Sequence, residues 1–478
     1  MIDSNVIVQQ LRKIVGGAHA APFLDAEMAA YRSLLDETAA DTPQPIAVVT
    51  PAKVEEIQAI LTAAGKSGLS VVSMANASGN GSGSTLREKP VVLLDLSRLD
   101  KIIEVNTDSG YALLEPGVSF DQLREYLTTN ETGYWIDCDA NGAHSVCASI
   151  TERSFGHTPY GDHLLMQCGM EVVLGNGEIL RTGMGALPNS DTWQLFKYNY
   201  GPYLDGLFSQ SELAVVTKVG LWLMPAPPKY LPFMVSLPDT QSVDQALEVL
   251  RPLKIQMVIP NTVTISHRSA DAALLAEAGL AEQAGTVAKS TELHDWNLFG
   301  ALYGVPDNVD ITWEMVSSAL RSIPGATLFG ATNSPSHPVW PLRERLMRGA
   351  PAYSSSSAAG QKTLWFSVAS PIEGEAGLSM LAALEKILAP SGIEFEYEFS
   401  LSWRTLFMRV SAVFSKEKFS ARQALFLTLI NELDSLGFGV SHESRDLTRA
   451  VSSSQMSAPM NGLTAKISAA LDPLATLR

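Results

Sequence analysis

An α+β chain of two domains is what this sequence predicts, on three observations. Near the N-terminus, an apolar run at 45–49, an amphipathic helix carrying Val54, Ile57, Ile60 and Leu61, and a strand at 69–74 spell a β-α-β unit. The cluster Pro225-Ala226-Pro227-Pro228 breaks a core strand and marks a domain boundary. Beyond it, strand and helix patterns alternate again, as in a mixed α+β domain.

Taken in order, residues 5–16 and 24–36 read as short helices. Thr50 and Pro51 fit an N-cap followed by proline at the first helical position, and that helix ends near 65–68. Residues 91–96 are apolar except for Asp95 and read as a strand buried on both faces. Residues 105–118 read as a strand pair turning at Asp108-Ser109-Gly110, 120–129 as a helix, and 211–224 as a further core strand with its lead-in. After the prolines, the alternating segments are 231–237, 243–250, 262–266, 297–304, 313–323, 363–370, 378–389, 395–402, 406–414 and 419–436. Residues 349–362, GAPAYSSSSAAGQK, read as a mobile loop.

A chain of 478 residues, 46% hydrophobic and 18% charged, has the composition of a globular protein with a large core. Its net charge of −16 argues against nucleic acid or an anionic membrane as partner. No run of eighteen apolar residues offers a membrane span. Cys138, Cys147 and Cys168 lack CxxC spacing and close histidines, so they read as buried small hydrophobes rather than a zinc site. The N-terminal MIDSNVIVQQLRKIVG has an early acid and no apolar core of signal length, so the expected compartment is the cytoplasm.

Two segments carry chemistry. Residues 74–85, MANASGNGSGST, follow one strand and precede another. Glycines there let backbone N–H groups approach a phosphate closely. Taken alone, the segment reads as a flexible loop, since it is neither a Walker A motif nor a GxGxxG that opens a helix. Residues 154–185, SFGHTPYGDHLLMQCGMEVVLGNGEILRTGMG, end in a hairpin turning at Gly175-Asn176-Gly177. The hairpin is preceded by Thr158-Pro159-Tyr160-Gly161-Asp162-His163, a polar cluster of the kind that serves a ligand.

The words TPYGDH, MQCGMEVVL and RTGMG resemble the vanillyl-alcohol oxidase and p-cresol methylhydroxylase family of flavoproteins. The resemblance runs on through YGPYLDGLFSQ (200–210) and TKVGLWLMP (217–225), and more weakly to about Pro473. It implies the family's two-domain FAD-binding fold. Residues 1–225 would form the FAD domain, with a C-terminal return over 441–478, and 226–440 an α+β cap. It implies FAD, a small-molecule substrate and a homo-oligomer; the FAD is expected to be held non-covalently, because the family's covalent anchor positions are changed in this chain. Ser78, Gly79, Gly81, Ser82 and Gly83 inherit the pyrophosphate loop. Ser149, Ile150, Arg153, Gly156 and Gly161 inherit the segment laid against FAD, and Pro116, Gly117 and Val216 its adenine end.

The family binds a phenol as phenolate through two tyrosines and an arginine, and removes hydride from the para side chain. The positions matching that cradle hold Asn80, Ser441 and His442; only Tyr160 keeps its tyrosine. The family's aspartate near flavin N5 falls on Asp139, with Asp137 the alternative because of a one-residue gap in the match. Tyr160, Asp139 and His442 are therefore the candidate catalytic residues, with His442 a cation near the flavin N1–C2=O edge; His157, Trp403 and Arg404 stand near them. His157 reads as structural and His144 as the cap of a turn. The family's covalent flavin anchors fall on Phe407 or Met408 and on Phe395, with Tyr397 nearby. The expected activity is FAD-dependent oxidation of an aromatic or secondary-metabolite compound. Two alternatives are a flavoprotein with structural FAD, non-redox or a partner subunit, and a scaffold without flavin.

Overall fold

The structure is a computed structural model that describes residues 4–23, 31, 45–75, 89–291, 293–330, 332–355, 361–415 and 419–477. The loop glycines and serines at 78–83, with Asn80, lie outside the described residues, as does nearly all of the helix expected at 24–36.

The first half builds two sheets. Strands β1 (Ala20–Pro22), β2 (Ala47–Val49), β3 (Ser70–Met74) and β4 (Val91–Asp95) form one sheet of order β1-β2-β4-β3. Strands β2, β4 and β3 are parallel, so β2 and β3 are joined by a crossover helix, Val54–Lys66. That helix begins three residues later than Pro51 suggests. Lys53 occupies its cap position, and the Glu56 carboxylate accepts from Ala52 N at 2.7 Å. An acid in the first turn does the work expected of Thr50. All of β4 is buried, Asp95 included; Asp95 accepts from the Tyr31 hydroxyl and, at 2.8 Å, from Ser97 N.

Seven further strands follow: β5 (Ile102–Asn106), β6 (Tyr111–Leu114), β7 (Tyr134–Trp135), β8 (Gln167–Leu174), β9 (Ile179–Arg181), β10 (Ala214–Trp222) and β11 (Met224–Pro225). Five of them form an antiparallel sheet of order β5-β6-β10-β8-β9, while β7 pairs with β11. Strand β8 is buried throughout, and Gly177 supplies the positive φ, +85°, of the β8–β9 turn. The three cysteines are free and buried.

Past the prolines, strands β12 (Lys229–Leu237), β13 (Val263–His267), β14 (Trp296–Gly304), β15 (Thr327–Phe329), β16 (Gln361–Pro371), β17 (Glu396–Ser402), β18 (Thr405–Ser415) and β19 (Gly439–Glu443) make one antiparallel sheet. Its order is β15-β12-β14-β13-β17-β18-β16-β19. The helices Thr240–Ile255, Pro306–Arg321, Gly374–Ile387 and Phe419–Ser435 cover one face. Into that core go Leu406, Met408, Val410 and Ala412 of β18, with Phe399 and Leu401 of β17. Period-two alternation sends Phe407, Arg409 and Ser411, and Glu396, Glu398 and Ser400, to the opposite face. That face is polar, and it looks toward the first half of the chain.

The C-terminal residues divide between the two halves. Strand β19, which includes Ser441 and His442, pairs with β16 of the large sheet. The return expected from residue 441 is therefore made further on. Thr476 O accepts from Val71 N at 2.6 Å, Lys89 Nζ donates to Leu474 O and Ala475 O, and Leu477 packs in the core around Ile57 and Ile60. Among the described residues no helix is long and apolar enough to cross a membrane.

Candidate active site

One strap of chain, residues 149–163, crosses the polar face of the large sheet. A buried carboxylate pins it. Asp137, 4% exposed, accepts from Thr158 N at 2.6 Å through Oδ2 and from His163 Nε2 at 2.9 Å through Oδ1. His163 Nδ1 lies 2.7 Å from Ser149 Oγ. One side chain thus fixes the start, middle and end of the strap. Gly156 has to be glycine, because a Cβ there would sit 1.4 Å from Asp137 Oδ1. The TPYGDH word is largely this pin. Thr158 supplies a backbone donor, Gly161 N closes a turn onto Thr158 O at 3.0 Å, and Asp162 caps the short helix His163–Met166 through Leu165 N. A ligand-serving role for the whole cluster gives way to a structural one.

Alternate residues of the strap meet successive strands. Arg153, with φ +58°, donates from Nε to Ser209 Oγ at 3.0 Å. Next to it Gln210, also at positive φ, bonds Thr151 O and, across the seam, Ser441 O of β19 at 3.1 Å. Phe155 packs on Phe407 of β18, ring centroids 5.0 Å apart. His157 O accepts from Asn261 Nδ2 at 3.1 Å, just before β13. Burial, with help from the Arg343 charge, pulls the His157 imidazole below its ordinary range and leaves it neutral.

The sheet face opposite carries the charges. Arg409 lies over the Trp365 ring at 5.3 Å, and Trp365 meets His442 edge-on at 4.6 Å. Burial first, then the nearby charges of Arg409 and Arg153, pull the His442 pKa down to about 4. His442 is therefore neutral at physiological pH, and the cation expected there is supplied by the two arginines instead. On β17, Glu398 pairs with Arg343 at 2.9 Å, and Arg343 also reaches Asp271 at 3.1 Å. Burial raises the Glu398 carboxyl, but Arg343 and Arg409 outweigh it and hold Glu398 ionised. Among the described residues Glu396 has no ion-pair partner; it accepts from Ser411 Oγ at 2.9 Å, and burial outweighs that bond and the Arg409 charge to push its pKa up to about 7.

From the first half come Asp139 and His144, 2.9 Å apart and each about a quarter exposed. Burial works against both charges. The mutual attraction wins, so Asp139 lies below the ordinary carboxylate range and His144 above the ordinary imidazole range. Asn141 holds the turn, donating to Ser355 O at 2.8 Å and facing His144 Nε2 at 3.2 Å. Ala352 N and Gly142 N complete a backbone clasp to Ala140 O and Tyr353 O. The described part of the loop expected to be mobile, 349–355, is thus fastened to this turn. Tyr353 donates to Glu277 at 2.7 Å.

The three candidate catalytic residues therefore part company. Asp139 and His442 belong to the group around the strap, whereas the half-buried Tyr160 feels Tyr134 rather than either of them. Asp137 is consumed by the pin, whereas Asp139 is paired with His144 and about a quarter exposed. Trp403 and Arg404 sit at the β17–β18 turn, Trp403 40% exposed. Tyr397 faces the helices, stacked on His267 at 4.4 Å, so it is turned away from the strap. Arg409, Glu396 and Glu398 were missed. Their signal was present in E-Y-E-F-S at 396–400, where charge alternates with aromatic residues on a strand.

Arg409 stands in the middle of a central strand and is nevertheless exposed, as is Arg153 on the strap, so two cations are accessible where strap and sheet face each other. Positive charge at an open cleft favours phosphates and the negative charge that a reduced flavin ring acquires. Other candidate cofactor residues turn their side chains inward. Ile150 and Val216 lie in the core of the five-stranded sheet, Ser149 serves His163, and Pro116 O accepts from Ser145 Oγ at 2.5 Å. A Cβ on Gly117 or Gly161 would lie within 2.9 Å of neighbouring backbone. What these positions offer a cofactor is backbone.

The raised carboxyl of Glu396 has a measurable consequence. A carboxyl whose pKa rises on folding favours the native state while protonated, and that contribution is lost as pH climbs from the ordinary 4.5 to about 7. Replacing Glu396 with Gln removes the loss. Thermal melts should show Glu396→Gln gaining on the wild type as pH is raised across that interval; a constant difference between the two would refute the environment described for Glu396.

Comparison with known proteins agrees with this geometry. A family model described as an FAD binding domain matches residues 45–183. The flavoprotein subunit of 4-cresol dehydrogenase [hydroxylating] from Pseudomonas putida is 30% identical over 92% of this chain and 88% of its own. The crystal structure of p-cresol methylhydroxylase with substrate bound superposes with a TM-score of 0.88 at 29% identity, covering 99% of this chain and 95% of that one. The 4-ethylphenol oxidase of Gulosibacter chungangensis, in an isoeugenol complex, gives 0.89 at 25% identity with the same coverages. The chain belongs to the vanillyl-alcohol oxidase and p-cresol methylhydroxylase family of flavoproteins, and it is an FAD-dependent oxidoreductase.

Proposed function

We propose that this oxidoreductase oxidises a small aromatic or secondary-metabolite compound that is not a simple para-alkylphenol. Bound FAD supplies the hydride acceptor. What supports the proposal is the edge of the sheet at Ser441 and His442, a small hydroxyl and a neutral imidazole, at the positions that the family resemblance assigns to the tyrosine and arginine of a phenolate cradle. Charge is placed elsewhere, on Arg409 and Arg153. Glu398, neutralised by Arg343, and Glu396 beside it add acceptors for hydroxyl or amine hydrogens rather than donors for an oxyanion. Asp139, held ionised by His144, is the proposed proton acceptor.

FAD is proposed to bind non-covalently. Phe407, which faces the strap, has no nucleophilic atom; Met408 is buried on the helix side and Tyr397 is stacked there. The Pseudomonas relative is named as a subunit, which supports assembly with further chains, either copies of this one or a partner.

Two experiments address these proposals. Acid precipitation of the yellow holoprotein should leave a colourless pellet and release the flavin; colour retained in the pellet would reveal a covalent bond. Under anaerobic conditions, p-cresol and vanillyl alcohol should bleach the flavin far more slowly than ordinary turnover, roughly 1 to 1,000 per second. Rapid bleaching by either would show that a phenolate site exists after all.

A further inference from the structure

A second cavity lies on the seam between the two halves of the chain, and the chemistry above does not use it. It has a volume of about 290 Å³. The helix Phe120–Thr129 contributes Arg124, Leu127 and Thr128, the strand around β7 contributes Tyr134, Trp135 and Ile136, and the end of the helix Trp340–Met347 contributes Arg345 and Arg348.

Three arginines line this one cavity in a protein of net charge −16. Arg181, Arg251, Arg268 and Arg343 each have a carboxylate within ion-pair distance. Among the described residues, none of the three cavity arginines has one. Arg345 makes one long bond, 3.4 Å, to Ala352 O. Arg348 rests over the rings of Tyr230 at 5.6 Å and Trp135 at 6.0 Å. Stacking occupies the face of a guanidinium and leaves its in-plane N–H donors free. The helix C-terminus accounts for cations at 345 and 348. It does not account for Arg124, which arrives from another helix and lines the same cavity.

We propose that Arg124, Arg345 and Arg348 form a binding site for a small multivalent oxyanion, a phosphate or polycarboxylate, separate from the dinucleotide cleft. Planar forks of N–H donors suit both chemistries, and the cavity admits a ligand no larger than a small metabolite. The site also spans the seam. A Cβ on Gly349 would lie 2.3 Å from Ile136 O, so the two walls already touch backbone to backbone. Ile136 leads directly into Asp137, and Ala352 and Tyr353 clasp the turn at 140–142. An anion bridging Arg124 to Arg345 and Arg348 would fasten the two halves beside the strap.

The test is calorimetric titration of the FAD-loaded protein with inorganic phosphate and, separately, citrate, with sodium chloride holding ionic strength constant. Saturable binding of at least one anion is expected. It should weaken at least tenfold in the Arg345→Gln/Arg348→Gln double variant and in Arg124→Gln, a single exposed change far less exposed to folding failure. Flavin absorbance should be the same in all three proteins. Binding of phosphate alone or citrate alone would support the site and identify its ligand chemistry. Absence of saturable binding for both anions, or equal affinity in wild type and variants, would overturn the proposal.

Discussion

A single buried carboxylate, that of Asp137, holds the candidate site together. It accepts one backbone and one imidazole hydrogen bond, and through His163 it reaches Ser149. Leaving a buried hydrogen-bonding partner unsatisfied typically costs about 1–3 kcal/mol. Between the helices Val146–Thr151 and His163–Met166 the strap has only the bridge of Phe155 to Asp162, so this pin does much of the positioning that a sheet would do elsewhere. The glycine at 156 follows from the same constraint, since the space beside its Cα is filled by the Asp137 carboxylate. Fixing the strap in turn fixes where Arg153, Phe155 and His157 meet the large sheet.

Electrostatics on the facing strands follow from that placement. Arg153 from the strap and Arg409 from the sheet bring two permanent cations toward one edge, and a buried imidazole between such charges cannot also be protonated. Burial first, and these charges second, keep His442 neutral, and the site gains a fixed positive region that does not titrate near neutral pH. Further along the sheet, acids dominate. Glu398 is balanced by Arg343, while Glu396 is left with a serine hydroxyl. Arg409 stands directly across from Glu398, so cation and acid meet on this face of the sheet.

Much of the fold could be read directly. Apolar periodicity located the helix Phe120–Thr129, the buried strand Val91–Asp95 and the alternating elements after the prolines, because each is set by burial against a neighbour. The start of the helix Val54–Lys66 was misplaced: Thr50-Pro51 looks like a start signal, but Glu56 supplies the actual local bond. The cap domain's two faces were not legible as such. Whether Tyr397 or Glu398 looks into the cleft depends on register, which a one-residue slip inverts. The charge state of His442 was also hidden, since it depends on Arg153, hundreds of residues away in sequence but close in space. Asp137 and Asp139 were indistinguishable by spacing alone and are separated only by their partners.

The most direct measurement is the FAD dissociation constant of Asp137→Asn compared with that of the wild type, read by flavin fluorescence quenching. Far-UV circular dichroism recorded in parallel monitors the large sheet. Loss of the pin should weaken FAD binding at least tenfold while the sheet signal persists. Undiminished FAD affinity in a correctly folded Asp137→Asn protein would show that the strap does not depend on this carboxylate.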